Sequence, residues 1–439
     1  MSEHPPSLFR RGLRVFTDVR PEEVPLALAL ALNVFLLLTA YYLIKPVREA
    51  LILSLESGAE YKSYMSAAIA LALLVAVPAY ARLVDRLPRL KLVVGVTLFF
   101  ASHLVLFFLA SQLQALRASI GLVFYVWIGV FNMMVVAQLW SFANDLYDAE
   151  RGKRLFPLVA LGASLGAALG SKIAAWLVGP LGVYALLLVS GGLLVLCAWL
   201  FTVAERLATA VPVSAPASAV PAAPGVPAVA PSATAEPPPA AQEKGGAFEL
   251  VFRHRYVLLI AMLALVYNFA NSNGEYMLGK LVKAAALDAV AQGTLAQADV
   301  GAFIGKSYAD FFFGVNLLGV VFQAFAVSRI VRYGGLGVAL LALPVIALSS
   351  SVAILAWPLL SVVRAGKTLE NATDYSLNNT VRQLLWLPTS SALKYKAKQA
   401  VDTFFVRLGD VSSALLVAGG SQLFAWSVRE FAFANALLG

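Results

Sequence analysis

The sequence predicts an all-α membrane protein of twelve transmembrane helices in two pseudo-symmetric six-helix halves. Three observations predict it. The mean hydropathy is +0.80 with only 13% charged residues, whereas a soluble domain carries about 25%. Apolar runs of about 20 residues, the length that crosses a bilayer as a helix, recur along all 439 residues. A tract without aromatic residues, AVPVSAPASAVPAAPGVPAVAPSATAEPPPAAQEKGG, separates the runs into two sets of six.

The first set is expected near 24–45, 60–82, 91–111, 118–143, 155–178 and 182–204. The second follows near 256–281, 307–331, 335–355, 358–383, 399–419 and 421–437. The Ala/Pro tract has too little apolar surface to offset the entropy of ordering it, so it reads as a disordered linker. Four segments follow: 1–23 as a cytoplasmic N-terminal segment, 24–206 as the first half, 207–250 as the linker and 251–439 as the second half. The arginines before VPLALALALNVFLLL imitate a signal peptide, but the apolar run is long and lacks a small-residue cleavage site, so it reads as a mature first helix.

The net charge of +9 follows the loops. Arg10, Arg11, Arg14 and Arg20 precede the first helix, Arg82, Arg86, Arg89 and Lys91 follow the second, and Arg151, Lys153 and Arg154 follow the fourth. Arg253 and Arg255 precede the seventh, Arg329 and Arg332 follow the eighth, and Lys394, Lys396 and Lys398 follow the tenth. The opposite loops are sparser, so the positive-inside rule places both termini and the linker in the cytoplasm of a cell with the chain in its inner membrane. This pattern points to a lipid bilayer as partner and not to nucleic acid.

Several chemistries are excluded. Cys197 is the one cysteine and His4, His103 and His254 are scattered, so no disulfide within the chain, metal cluster or cofactor site is expected. No G-x-x-x-x-G-K-[ST] loop is present, which removes transport driven by the chain's own ATP hydrolysis. Gly162-Ala163-Ser164-Leu165-Gly166 imitates a nucleophile elbow, but it lies in a helical run without a strand before it, so no enzyme is expected. Gly162, Gly166 and Gly170 instead have the spacing that lets two helix backbones approach closely.

Repetition and polar stripes carry the functional expectation. RLVDRLPRLKL after the second helix and SRIVRYGGLGV after the eighth hold equivalent places. Related halves around a central cavity, with solute bound at mid-membrane, are a common plan of secondary transporters. In the tenth helix the stretch TLENATDYSLNNTVRQ is polar on one side. At 100° per residue Arg364, Lys367, Glu370, Asn371, Asp374, Asn378 and Arg382 share an arc of about 120°. Tyr267, Asn268, Asn271 and Glu275 share an arc of about 100° on the seventh helix, beside Gly274, which can loosen its backbone. The first helix adds Tyr41, Lys45, Arg48 and Glu49, and the eleventh adds Asp402, Arg407 and Asp410. A charge at membrane depth costs about 2.5–3.5 kcal/mol on insertion scales, so such a stripe faces a wet cavity or neutralising partners.

Three blocks then carry a resemblance. AYYLIKPVREALILSLESGAE, LWSFANDLYDAERGKRLFPLVALGAS and DYSLNNTVRQLLWLPTSSALKYKAKQAVDTFFVRLGD resemble the ATP/ADP translocases of plastids and intracellular bacteria, a family of twelve-helix nucleotide exchangers related to the major facilitators. The resemblance runs through both halves. It implies a major-facilitator-like fold and nucleotide:nucleotide exchange, with basic residues near the first helix and on the tenth and eleventh serving phosphates. By position, Arg48 stands for the family's lysine of the first helix, and Tyr267 and Glu275 match a tyrosine and an acid of the seventh. Arg382 precedes the segment equivalent to the family's EMAYIP, and Lys394, Lys396, Lys398 and Asp402 match its LKxKxKxAxD run. Asn371 and Asp374 fall where the exchangers carry lysines, Gln383 replaces an acid, and the acid of the fourth helix falls on Ile128.

The expected substrate-binding residues are thus Lys45, Arg48, Tyr267, Asn271, Glu275, Arg364, Glu370, Asn371, Asp374 and Arg382. The expected gating residues are Lys394, Lys396, Lys398, Asp402 and Arg407. The expected activity is ATP:ADP exchange by alternating access in a monomer. Two alternatives stay open. One is a proton-coupled carrier of another solute, such as an organic anion or drug-like compound, which Asn371 and Asp374 favour. The other is a membrane scaffold without turnover, against which the mid-membrane charges argue.

Overall fold

A computed structural model describes residues 23–84, 86–146, 149–210, 246–386, 388–390, 393 and 397–438. The segment before residue 23, most of the Ala/Pro tract, Lys394 and Lys396 lie outside the described residues. The first set of helices is α1 (Val24–Leu53), α2 (Gly58–Val84), α3 (Arg89–Ser111), α4 (Arg117–Leu146) and one helical stretch, Ala149–Ala210, that supplies two rods. Gly182, at φ +75°, breaks that stretch into α5 (149–181) and α6 (183–210), a left-handed conformation that glycine adopts without a Cβ penalty.

A short helix, Ala247–Arg253, precedes the second set. This set comprises α7 (Arg255–Ala291), α8 (300–334), α9 (Gly335–Ala356), α10 (360–385), α11 (398–422) and α12 (Val428–Leu438). The expected spans and the observed rods agree in number and order. α7 runs furthest beyond its expected bounds, ending at Ala291 where 281 was expected, and α12 starts late, at Val428 where 421 was expected. Its start is a Ser-x-x-Glu cap: the Ser427 backbone N–H donates to Glu430 Oε2 at 2.8 Å and the Ser427 hydroxyl meets the same oxygen at 2.5 Å. That signal was present in the sequence as Ser427-Val428-Arg429-Glu430.

The outer faces are apolar and open. On α2, Leu71, Leu74 and Val75 are 68%, 72% and 73% exposed, which suits lipid as solvent and would be an aggregation surface in water. Within the first set, α1 lies against α5 through the expected small-residue stripe. A Cβ on Gly162, Gly166 or Gly170 would lie 2.5, 2.2 or 2.7 Å from the backbone oxygens of Ala31, Phe35 and Thr39. Only a hydrogen fits there, so the α1 backbone follows the groove and its polar face is turned inward. Asn33 Nδ2 donates to Cys197 O at 3.1 Å and Ser190 Oγ to Ala40 O at 2.9 Å, tying α6 to the same helix.

The two sets meet through α1, α2 and α5 on one side and α7, α8 and α11 on the other. Among the described residues, the side-chain bonds between them named here lie at mid-height or toward the end that carries the α1–α2 and α7–α8 loops. Asn316 Nδ2 donates to Ala167 O at 3.2 Å, Tyr276 Oη to Glu60 Oε1 at 3.0 Å and Gln422 Nε2 to Tyr64 Oη at 3.0 Å. Lys283 Nζ donates to the carbonyls of Leu55 and Glu56. The second set is also less regular. Among the described residues, π-helical turns interrupt α8 (Phe322–Ala326, Ile330–Gly334), α10 (Asp374–Asn378) and α11 (Val401–Phe405).

Candidate functional site: a charged cavity between the halves

A cavity of about 260 Å³ lies between the two sets. Its first wall brings Tyr41, Lys45 and Arg48 from α1, Lys62 and Ser66 from α2 and Tyr125 from α4. Its second wall brings Asn268, Asn271, Ser272 and Glu275 from α7, Phe312 from α8, Asn371, Asp374 and Tyr375 from α10, and Arg407 and Asp410 from α11. Of the expected substrate-binding residues, Lys45, Arg48, Asn271, Glu275, Asn371 and Asp374 converge here. Arg407, expected as a gate residue, lines the cavity as well.

Ion pairs organise the floor. Lys62 is buried at 4% exposure and its Nζ lies 2.9 Å from Glu49 Oε2, 3.2 Å from Glu275 Oε2 and 3.0 Å from the Tyr308 hydroxyl. Glu49 is fully buried and accepts from Arg48 Nε at 2.9 Å, while the Arg48 guanidinium lies 4.5 Å from the Tyr125 ring centre. Glu275 Oε1 accepts from Asn371 Nδ2 at 3.1 Å. On the opposite side Asp410 accepts from Ser272 Oγ at 2.6 Å and from Arg407 Nη1 at 3.0 Å.

Lys45 differs from its neighbours. It is 8% exposed, and among the described residues it is the cavity cation with no carboxylate in ion-pair range. Its ammonium instead sits 4.0 Å from the Phe312 ring centre and 5.1 Å from that of Tyr42. Aromatic faces attract a cation by about 0.5–2 kcal/mol, less than an anion in a buried setting supplies.

The α10 stripe does not stay on one surface. Asn371 and Asp374 point to the central cavity, whereas Glu370, Asn378 and Arg382 line a second cavity of about 160 Å³ inside the second half, shared with Tyr267 and apolar residues of α9. Arg364 is elsewhere again, against Leu278, Tyr308 and Phe311. Thus Tyr267, Arg364, Glu370 and Arg382, expected at the substrate, are not brought to the central cavity. The π turn at Asp374–Asn378, whose i→i+5 bonds change the rotation per residue, bears only on Arg382 beyond it; Arg364 and Glu370 precede it and part from Asn371 through the width of the arc. The two cavities are joined by Asn378 Nδ2, which donates to Asp374 Oδ1 at 2.7 Å.

Lys367 fills the seam between α7 and α10. It is 2% exposed and donates to Asn271 Oδ1 at 2.9 Å and Glu370 Oε2 at 3.0 Å. Gly274 makes this possible: a Cβ there would lie 2.8 Å from Lys367 Cδ. The glycine therefore makes room for a lysine, while α7 runs as one α-helix from Arg255 to Ala291 without the loosening expected at that point. Of the remaining expected gate residues, Asp402 accepts from Arg382 Nη2 at 2.8 Å and Lys398 Nζ donates to Gln383 Oε1 at 2.7 Å, both at the exposed end of α10.

Lys62, Tyr125 and Tyr308 were not among the expected residues. Lys62 stands in the first turn and a half of α2, where a lysine ordinarily reaches back to the membrane surface. Its burial depends on the carboxylates of two other helices, and no periodicity within α2 announces them. A lysine preceded by tyrosine and followed by serine inside an otherwise apolar span was the available signal.

Among the described residues, the twelve helices α1 to α12, in two sets of six around a charged cavity between the sets, have the plan of a membrane transporter of a small-molecule solute. The chain belongs to the Major Facilitator Superfamily, whose family model matches residues 30–383. No curated protein matches the chain. Among solved structures it is similar to the nucleoside transporter NupG, at 11% identity and a TM-score of 0.61, covering 94% of this chain and 97% of that one. It is equally similar to a bacterial homologue of the iron transporter ferroportin in an inward-facing state, at 12% identity and a TM-score of 0.61, with 94% and 97% covered. An auto-inhibited POT family peptide transporter matches at 12% identity and a TM-score of 0.61, with 94% and 95% covered. These likenesses are of fold.

Proposed function

We propose that this chain is a secondary transporter of a small organic anion, working by alternating access between its two halves. The observation that carries it is Lys45, a buried cavity cation resting on Phe312 and Tyr42 with no carboxylate partner among the described residues. A buried charge without a counterion is costly. An anionic solute bound between Lys45 and Arg48 supplies the missing counterion, and the guanidinium adds a bidentate contact. The side-chain bonds between the halves among the described residues support a state closed at the α1–α2 end, and in this reading solute enters from the end of the basic loops. By the positive-inside rule that end is cytoplasmic, with both termini and the 207–250 linker on the same side of an inner membrane.

Nucleotide exchange is the finer reading, favoured by the three sequence blocks that resemble the ATP/ADP translocases. The second wall limits it. Glu275, Asp374 and Asp410 against the single cation Arg407 repel a polyphosphate, and the volume lies just below the roughly 300–1,000 Å³ of common ligand pockets. A solute with one or two negative charges therefore fits better than a triphosphate, and proton-coupled uptake of such an anion is the alternative to exchange. The deciding experiment is uptake of labelled ATP into liposomes holding the purified protein, preloaded with ADP or left empty. Uptake that needs internal ADP establishes exchange. Folded protein that takes up no ATP in either case, but does take up a labelled mono- or dianion, removes the nucleotide and leaves the anion carrier. Folded protein that transports none of these labelled anions overturns the proposal.

A further inference from the structure

The ion pair between Lys62 and Glu275 joins the two halves, and among the described residues it is the one ion pair that does so. It lies at the closed end of the cavity, on the floor that a solute held by Lys45 and Arg48 would touch. Lys62 is shared between two carboxylates, Glu49 of its own half at 2.9 Å and Glu275 of the other at 3.2 Å. The nearer belongs to its own half. Glu49 also has Arg48, whereas Glu275 has the neutral amide of Asn371 as its second partner.

We infer that Lys62 is a positioning residue that links solute binding to separation of the halves: an anion seated on Lys45 and Arg48 draws the Lys62 ammonium from Glu275 and Tyr308 and so weakens the closed end, leaving the hydrogen bonds of Tyr276, Lys283 and Gln422 as the remaining ties there. This rests on the anion-carrier proposal for the same cavity. The exchange of partners follows from geometry. Lys62 and Arg48 both contact Glu49, so an anion bound to Arg48 lies within one side-chain length of Lys62. Glu275, once released, keeps its hydrogen bond from Asn371 on the neighbouring helix of its own half and is not left bare. With the cavity empty the pair reforms. Net movement of an empty carrier is then slow, which is the condition for exchange in preference to leak. A ligand shifts such an equilibrium only by its differential affinity for the two states, and here the difference is the anion's hold on Lys62.

The test measures the distance between the halves at the closed end and does not require the natural solute. Spin labels are placed at Ser57→Cys and Asp288→Cys, both exposed, with the buried Cys197 left in place, and distances are read by pulsed electron resonance. Glu275→Gln, with no ligand, is expected to raise the long-distance population at least threefold. Lys62→Arg is expected to keep the wild-type distribution, and Lys62→Met to match Glu275→Gln. ATP, as the anionic probe and where equilibrium dialysis shows it bound, is expected to move the wild type in the same direction and to add nothing to Glu275→Gln. An unshifted distribution in folded Glu275→Gln overturns the inference whatever the solute. A shift in Glu275→Gln together with ATP that binds by equilibrium dialysis but leaves the wild type unmoved overturns the link to solute. ATP that does not bind argues against the nucleotide, not the gate, and the same measurement with a transported mono- or dianion then decides the link.

Discussion

The two walls of the central cavity are built from the same kind of helix and carry opposite charge. The first six helices contribute Lys45, Arg48 and Lys62, with Glu49 buried behind them. The last six contribute Glu275, Asp374 and Asp410 against Arg407. Each wall holds charge of one sign in excess, and a bilayer makes that excess costly unless the other wall or a solute answers it. One such excess is answered by Lys62 and Glu275 across the seam. Lys45 on one wall and Asp374 on the other are not answered by an opposite charge in ion-pair range among the described residues. Charge left over after the walls have met marks where solute belongs, and it distinguishes this cavity from the fully paired interior of a scaffold.

Removing the leftover cation should break the asymmetry most. Lys45→Ala is expected to raise the KM for an anionic solute by roughly 10- to 150-fold, the worth of one charge-assisted contact of about 1.5–3 kcal/mol, with the protein still folded by size-exclusion chromatography. Lys45→Arg should recover most of the loss. Unchanged KM in Lys45→Ala would place the anion elsewhere. Adding one cation to the acidic wall sharpens the comparison: Asn371→Lys should improve uptake of ATP relative to a monoanion by about tenfold through one added contact of the same kind. Equal uptake of both would show that this wall does not face the more highly charged end of the solute. Asp374→Asn removes one repelling charge, worth ~1–2 kcal/mol across roughly 8–15 Å at an effective dielectric near 20, so KM for an anion should fall about fivefold or more. At the far end of α10 the pair Arg382–Asp402, with side chains 31% and 38% exposed, should matter least. Arg382→Ala is expected to change stability by about 0.2–1 kcal/mol and uptake by less than threefold, measured by thermal unfolding and transport on the same preparation.

Much of the helix pattern was legible because each span needs about 20 apolar residues whatever its neighbours are. α1 to α11 begin or end within several residues of their expected bounds for that reason. Gly162, Gly166 and Gly170 were legible as a packing stripe because their spacing alone places them on one helix face. α12 was misplaced where an apolar count outweighed the Ser427–Glu430 cap. On the first helix, Lys45 and Arg48 reached the cavity as expected, since α1 is held by its glycine groove and its polar face can turn only inward. On the tenth, a single polar arc was expected, yet Asn371 and Asp374 part from Glu370 through the width of the arc and from Arg382 beyond a π turn.

The sequence by itself determined that the chain crosses a membrane repeatedly in two related sets and that polar stripes on α1, α7, α10 and α11 must turn away from lipid. Those conclusions depend on local quantities: hydropathy over one span, charge in one loop, and periodicity along one helix. Tertiary structure alone decided which charges meet. Lys62 is buried because Glu49 and Glu275, 13 residues before it and 213 after it, arrive at the same point, and Gly274 matters because Lys367 passes over it. Pairing of charges across helices is a property of distance in space, and no residue's own neighbourhood in the chain contains it.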